Sequence, residues 1–222
     1  MPGRVDPLSC RMFRPLAAAL LGCLLPAYCV YGQEKTAAKP ELFQVIPEPR
    51  AMRSSISRAY ADSQLTVFTP AKLSADGRHM EGYSAQEFAR IGIGWESFIE
   101  RSRAAADRKL ATVQPQLIKD AAGRVIYGVY RGASPETTCL LLAPSLGKVF
   151  QRLFGDVVWV VTPDQHSLYV FPAQSKDLSA FAGDLRERFD RDAYAASEEI
   201  FEIKADGSIH VVGNFTRRQP KG

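Results

Sequence analysis

The feature that most constrains the fold is a pair of apolar segments in the second half of the chain. Residues 157–161 read VVWVV, and residues 168–171 read LYVF. β-branched and aromatic residues favour strands, and a strand that is apolar at every position is buried on both faces. Pro163-Asp164 between the segments is typical of a tight turn. We therefore predict a central β-hairpin that other elements cover on both sides.

A predicted helix that could cover this hairpin starts at Ser84. Ser84 and Glu87 have the spacing of a capping box. Apolar residues then recur every three or four positions, which gives the helix one buried stripe. Gly92 and Gly94 interrupt the pattern and predict a division into two helices, with a bend or a close approach by a neighbouring backbone. The stripe comprises Phe88, Ile91, Trp95, Phe98 and Ile99.

Further short elements follow from local patterns. Strands are predicted at residues 111–119, 125–131 and 137–143, and helices at 145–154 and 177–194.

An additional strand is predicted at residues 64–68 (QLTVF). We expect it to end at Thr69-Pro70, because proline offers no backbone N–H and restricts the residue before it.

The last hairpin allows two registers to be compared. A two-residue loop would pair Ile203 with His210, which mixes apolar and polar side chains on one face. A three-residue loop with Gly207 as its left-handed residue instead pairs Ile203 with Ile209. We predict the three-residue loop, which sends Glu202 and His210 to the other face as a cross-strand pair.

The predicted connections are mostly hairpins, so we expect a mainly antiparallel sheet with helices packed on it, which is an α+β fold. Residues 64–213 are assigned to a single α+β domain and residues 214–222 to a polar tail. Residues 33–63 are proline-containing, charged and aperiodic, and are predicted to be a polar lead-in.

Residues 1–32 predict an export signal. Three arginines and one acid precede an uncharged, largely apolar stretch at residues 15–32. This stretch is shorter than the roughly 20 residues of a comfortable membrane-spanning helix, and Pro26 interrupts it. We expect cleavage before Gln33, and the alternatives are lipidation at Cys23, which follows Leu-Leu-Gly, or retention as an anchor. The protein is thus expected in the periplasm or outside a bacterial cell, with membrane contact only through this segment.

Cleavage before Gln33 would change the charge and the thiol content of the chain. Removing three arginines and one aspartate lowers the formal net charge from +4 to +2. A near-neutral protein lacks the excess positive charge that attracts nucleic acid. Cys139 would be the one remaining cysteine, so an intramolecular disulfide is excluded and stability must come from an ordinary core.

Candidate catalytic residues are few. His166 lies in the predicted turn beside Asp164 and Ser167, which suggests a Ser/His/Asp arrangement. Neighbours on one turn seldom reach the geometry of a triad, so we favour turn chemistry with Asp164 as the turn cap. His210 is the other candidate, and its expected partner is Glu202.

Other chemistry-bearing residues also have simpler interpretations. Glu96, Glu100 and Asp107 recur on one helix, but no histidine stands at a matching spacing, so we favour a solvated face with Arg103 as counter-ion. His79 is predicted to be exposed and Cys139 to be a buried apolar residue with a raised pKa. The sequence contains no phosphate loop, CxxC pair or HExxH motif, and we assign no metal and no cofactor.

Four segments carry a resemblance to a known family. Residues 83–213 resemble the YtpQ-like bacterial proteins, a family of unknown function. The resemblance implies a fold and supplies no activity, cofactor or catalytic residue. The segments are ADRKL at 106–110, TCLLLAPSL at 138–146, GDVVWVVTPDQHSLYVF at 155–171 and AASEEIFEIKADG at 195–207.

Two functional hypotheses follow. The favoured one is an exported, non-catalytic binding or accessory module, whose partner is an unidentified protein or a component of the cell envelope. The alternative is a hydrolase of unrecognised type that uses polar groups around Asp164 and His166, joined by Glu202 and His210 if the two hairpins meet.

Overall fold

The central hairpin forms as predicted, in the middle of the larger of two antiparallel sheets. The computed structural model describes residues 42–215, so the export segment, Cys23 and residues 216–222 lie outside the described part of the chain. The strands are β1 (Gln44–Pro49), β2 (Thr66–Leu73), β3 (Met80–Gly82), β4 (Gln116–Lys119), β5 (Val125–Arg131), β6 (Val157–Val161), β7 (Ser167–Pro172), β8 (Glu199–Lys204) and β9 (Ile209–Asn214). The larger sheet has the order β4-β5-β7-β6-β8-β9, with β6 and β7 at its centre.

Both faces of the central hairpin are covered, as its sequence predicts. Val158, Val160 and Leu168 belong to a core cluster on one side of the sheet. Val161 and Tyr169 belong to a second cluster on the other side. The α+β fold is confirmed. The helices are α1 (Ala85–Ile91), α2 (Trp95–Leu110), α3 (Leu146–Phe154) and α4 (Lys176–Arg191).

The predicted start and division of the first helix are confirmed. The Ser84 hydroxyl accepts the amide N–H of Glu87 at 3.2 Å, and the Glu87 carboxylate accepts the amide N–H of Ser84 at 2.9 Å. Gly92 ends α1 in the left-handed conformation with φ +72°, and α2 begins just after Gly94. Only a residue that tolerates positive φ ends a helix in this way without strain.

The predicted register of the last hairpin is also confirmed. Ile203 lies opposite Ile209, and Glu202 lies opposite His210. Gly207 has φ +81°, which is the left-handed residue that the three-residue loop requires.

One predicted strand is instead a helix. Residues 137–143 fall mostly within a buried 3-10 helix, Pro135–Leu142. Ser134 caps it and Pro135 occupies its first turn, where the fixed φ of proline suits a helix. A short apolar run cannot be distinguished from a buried helix by periodicity alone.

The predicted lead-in is partly wrong, because its second half is folded. β1 pairs with β2 in the smaller sheet, whose order is β1-β2-β3, and its first four residues are buried. A second 3-10 helix, Arg50–Met52, follows β1. The domain therefore includes residues well before 64.

The predicted end of the strand at Pro70 is wrong as well, because β2 continues to Leu73. β3 stops at Gly82, and beyond it the Pro70 carbonyl accepts the N–H of Tyr83 at 3.0 Å. On this side of β2, Pro70 contributes only its carbonyl to the sheet. Its missing N–H therefore leaves no hydrogen bond of the sheet unmade.

The start of the predicted tail also belongs to the fold. Asn214 ends β9, and Phe215 is buried against Phe189 of α4 with ring centroids 6.3 Å apart. Among the helices within residues 42–215, none has the length and apolar content that crossing a membrane requires.

Helix α3 approaches the backbone of the last hairpin so closely that only glycine fits at one position. A Cβ atom at Gly147 would lie 2.5 Å from the carbonyl oxygen of Lys204. Gly183 in α4 has no neighbouring atom within 4 Å of its Cβ position and is the matched control.

We expect Gly147→Ala to lower the free energy of unfolding by about 1–3 kcal/mol, because the backbones must separate. Gly183→Ala should raise it by up to about 1 kcal/mol through helix propensity. Urea unfolding followed by circular dichroism measures both. Equal stability of Gly147→Ala and the unmodified chain would contradict the close approach.

Candidate functional site

The candidate site is a cleft of about 490 Å³ between α4 and the strands β5 and β7. Four aromatic rings line it: Tyr127 from β5, Tyr169 and Phe171 from β7, and Phe181 from α4. Strand side chains alternate between faces, so Tyr169 and Phe171, two positions apart, point to the same side as α4. We call this site the aromatic cleft.

The four rings contact one another around Tyr127. Its ring centroid lies 5.0 Å from that of Phe181, 5.1 Å from Phe171 and 5.9 Å from Tyr169. Burial is the main cause that raises the pKa of the Tyr127 hydroxyl. That hydroxyl makes no hydrogen bond to another of residues 42–215. Tyr127, Tyr169 and Phe171 are buried and Phe181 is half-buried, so the cleft offers the side of Phe181, the edges of the tyrosines and one free hydroxyl.

Charged side chains surround the rings. Two of the arginines have acidic partners: Arg191 pairs with Glu187, and Arg188 lies 3.8 Å from Asp164. Arg131, at the end of β5, has no carboxylate within 4.0 Å in the described part of the chain. It instead donates a hydrogen bond to the Tyr169 hydroxyl at 3.1 Å, and its guanidinium lies 5.5 Å from the centroid of that ring.

A smaller cleft of about 410 Å³ adjoins the aromatic cleft and shares Arg131, Arg188 and Asp192 with it. His166 lines this smaller cleft. Its ring meets the Tyr194 ring edge-on at 6.1 Å, and its Nδ1 is buried without a hydrogen-bond partner within residues 42–215. The predicted candidate His166 thus lies beside the aromatic cleft.

Asp164 caps the turn, as the sequence predicts. Its side chain is buried and accepts the amide N–H of His166 at 2.8 Å and the hydroxyl of Ser167 at 2.7 Å. The hydroxyl proton of Ser167 therefore points to Asp164 and not to the imidazole. This arrangement stabilises the turn and does not align a nucleophile with a base.

The second predicted histidine lies at a different place. His210 Nδ1 is 3.1 Å from Asp62 Oδ2. The His210 side chain lines a separate cleft of about 410 Å³ with Tyr60 and Arg103. That cleft shares no lining residue with the two clefts near His166, and Glu202 lines none of the three. The side chain of His210 thus contacts Asp62, in the segment predicted as lead-in, although its backbone lies opposite Glu202.

The three acidic residues that the sequence places together on this helix have different surroundings in the structure. Glu100 lies 3.9 Å from Arg103, its predicted counter-ion. Asp107 accepts the backbone N–H and the hydroxyl of Ser145, at 2.9 and 3.0 Å, just before α3. Glu96 is exposed in the first turn of α2. Within residues 42–215, no group of three His, Cys, Asp or Glu side chains could hold a metal ion.

His79 is exposed, as predicted, with Nε2 3.2 Å from Glu81.

Cys139 is a buried apolar residue, as predicted, although it lies on a 3-10 helix and not on a strand. It is 3% exposed, and burial raises the pKa of its thiol to about 12, with a smaller contribution from Glu136. Its Sγ lies 3.4 Å from the carbonyl oxygen of Val45, so the thiol also joins two elements of the core.

Cys139 is expected to resist alkylation in the folded protein. At about pH 8 a pKa near 12 leaves a thiolate fraction roughly a thousandfold below that of a free cysteine. Iodoacetamide labelling followed by peptide mass spectrometry should show Cys139 unmodified in the native chain and modified in denaturant. Rapid labelling of Cys139 in the native chain would contradict this burial.

In comparisons with known proteins, no protein-family model, curated protein or solved structure matches the chain.

Sequence analysis did not find the aromatic cleft. Tyr127, Phe171 and Phe181 come from three separate elements, and each resembles an ordinary core residue in its own segment. The available signal was the charge of Arg131 at the end of an apolar strand, next to the turn that holds His166.

Proposed function

We propose that this chain is an exported, non-catalytic binding module of the bacterial envelope, and that the aromatic cleft is its ligand site. The observation that supports the proposal is the cleft itself, with its four rings and its unpaired arginine. Its volume lies in the range of about 300–1,000 Å³ that small-molecule sites occupy. Its residues suit a ligand with a flat apolar body and polar groups at the edge.

The arrangement around His166 supports binding over hydrolysis. A hydrolase of this type needs a base in contact with a nucleophile and oriented by a third group. Here Asp164 accepts bonds from the backbone and from Ser167, and so orients neither ring nitrogen of His166. His210, the other proposed member, lines a different cleft.

Export and family membership are part of the proposal and rest on the sequence. The charged start and apolar run of residues 1–32 support secretion to the periplasm or beyond, with Cys23 lipidation or an uncleaved anchor as alternatives. The segments of residues 83–213 named above support membership of the YtpQ-like proteins. The binding partner of the exported chain would then be a molecule that the envelope or the medium supplies.

The ligand site is tested with indole, a neutral planar probe, by following backbone amide shifts of the full chain. Phe181 and Phe189 are both partly buried phenylalanines of α4, but only Phe181 lines the cleft. We expect Phe181→Ala to weaken indole binding about fivefold, since an aromatic contact contributes roughly 0.5–1.5 kcal/mol.

Phe189→Ala is the control and should bind indole as the unmodified chain does. Shifts that map away from the cleft, or equal affinity of both variants, would exclude the aromatic cleft as the ligand site.

The proposed export is tested by fractionating the producing cell and measuring the mass of the mature N-terminus. We expect a chain that begins at Gln33 in the exported fraction. A diacylglyceryl group on Cys23 would indicate a lipoprotein, and an intact Met1 in the cytoplasmic fraction would contradict export.

A further inference from the structure

Arg131 and Asp184 are two charges of opposite sign that line the aromatic cleft, and neither has an oppositely charged partner in the described part of the chain. Of the other four charged side chains of the cleft, three lie near an opposite charge, and Asp192 is bonded to a backbone amide. Arg191 pairs with Glu187, Arg188 lies near Asp164, and the carboxylate of Asp192 accepts the amide N–H of Tyr194 at 2.7 Å. The cleft is therefore not simply basic or acidic, and a ligand carrying one charge would leave the other unmatched.

Arg131 is held in place by uncharged contacts. Its cation–π contact with the Tyr169 ring and its bond to the Tyr169 hydroxyl orient the guanidinium but do not neutralise it. A guanidinium has five N–H donors in a planar fork that matches the two oxygens of a carboxylate. With one donor used by Tyr169, the remaining edge is free to bind a carboxylate in the cleft.

Asp184 lies on α4, one helical turn before Arg188, and lines the same cleft. Burial is the main cause that raises the pKa of Tyr127; Arg131 and Arg188 lower this pKa, and Tyr169 and Asp184 raise it. The free hydroxyl of Tyr127 thus lies within the electrostatic reach of an unpaired cation and an unpaired anion. Arg131, Asp184 and Tyr127 all line the same cleft.

We propose that the ligand of the aromatic cleft is an aromatic amino acid in its zwitterionic form. The ring lies against Phe181 and the accessible edge of Tyr127, the carboxylate binds Arg131, and the ammonium group binds Asp184. The inference rests on the proposed function, because it names the ligand of the same cleft. It accounts for the rings and for both unpaired charges together.

The test compares three probes that share one ring. L-phenylalanine carries both charges, phenethylamine lacks the carboxylate, and hydrocinnamate lacks the ammonium group. Dissociation constants are measured on the full chain by amide shift titration. We expect L-phenylalanine to bind about fivefold more tightly than either analogue, since an exposed charge pair contributes up to about that factor.

Two substitutions test the roles of the two charges, one substitution for each charge. Arg131→Gln should remove the preference for L-phenylalanine over phenethylamine, and Asp184→Asn should remove the preference over hydrocinnamate. Arg186→Gln and Asp190→Asn are the controls, because these side chains pair with each other on α4 and do not line the cleft. Both controls should keep both preferences.

The outcomes separate this inference from the proposed function. Equal binding of all three probes in the cleft would overturn the zwitterion and leave the binding site standing. Tighter binding of one analogue than of L-phenylalanine would overturn the role of the charge that this analogue lacks. No binding by any probe, nor by indole, would overturn both proposals.

Discussion

Burial of the central hairpin on both faces is the constraint on which the rest of the structure depends. β6 and β7 are apolar on both sides, so the sheet cannot leave either face to water. The helices α2 and α3, the buried 3-10 helix and the smaller sheet cover one face. Helix α4 and Phe215 cover the other. The two faces are covered differently, and the aromatic cleft lies on the face that α4 covers.

Buried polar contacts attach the smaller sheet to the larger one. Glu199 in β8 accepts the amide N–H groups of Gln64 and Leu65 at 2.8 and 2.9 Å. Glu136 accepts hydrogen bonds from Gln44 of β1 and from Lys109 of α2. A buried carboxylate without such donors would cost several kcal/mol, so these bonds fix the position of a segment whose own composition is that of a loop.

Local rules predicted the elements whose signals lie within a few residues. The capping box at Ser84, the hairpin register set by Gly207 and the turn cap at Asp164 all follow from short-range geometry. β1 was missed because Pro47 and Pro49 are typical of loops. An edge strand tolerates prolines, since one side of its backbone needs no ladder donors, and only tertiary pairing with β2 shows that β1 is such an edge.

The aromatic cleft follows from the geometry of the cover. An α-helix is about 10 Å across and neighbouring strands lie about 4.8 Å apart, so a single helix covers about two or three strands of a six-stranded sheet. Residues of β5 beyond that width still point to the same side as α4. Tyr127 packs against Phe181 of the helix, whereas Arg131, at the end of β5, lines the cleft beside the helix. With one helix on the second face of the sheet, the aromatic residues of β5 and β7 are buried but border the cleft that we propose as the ligand site.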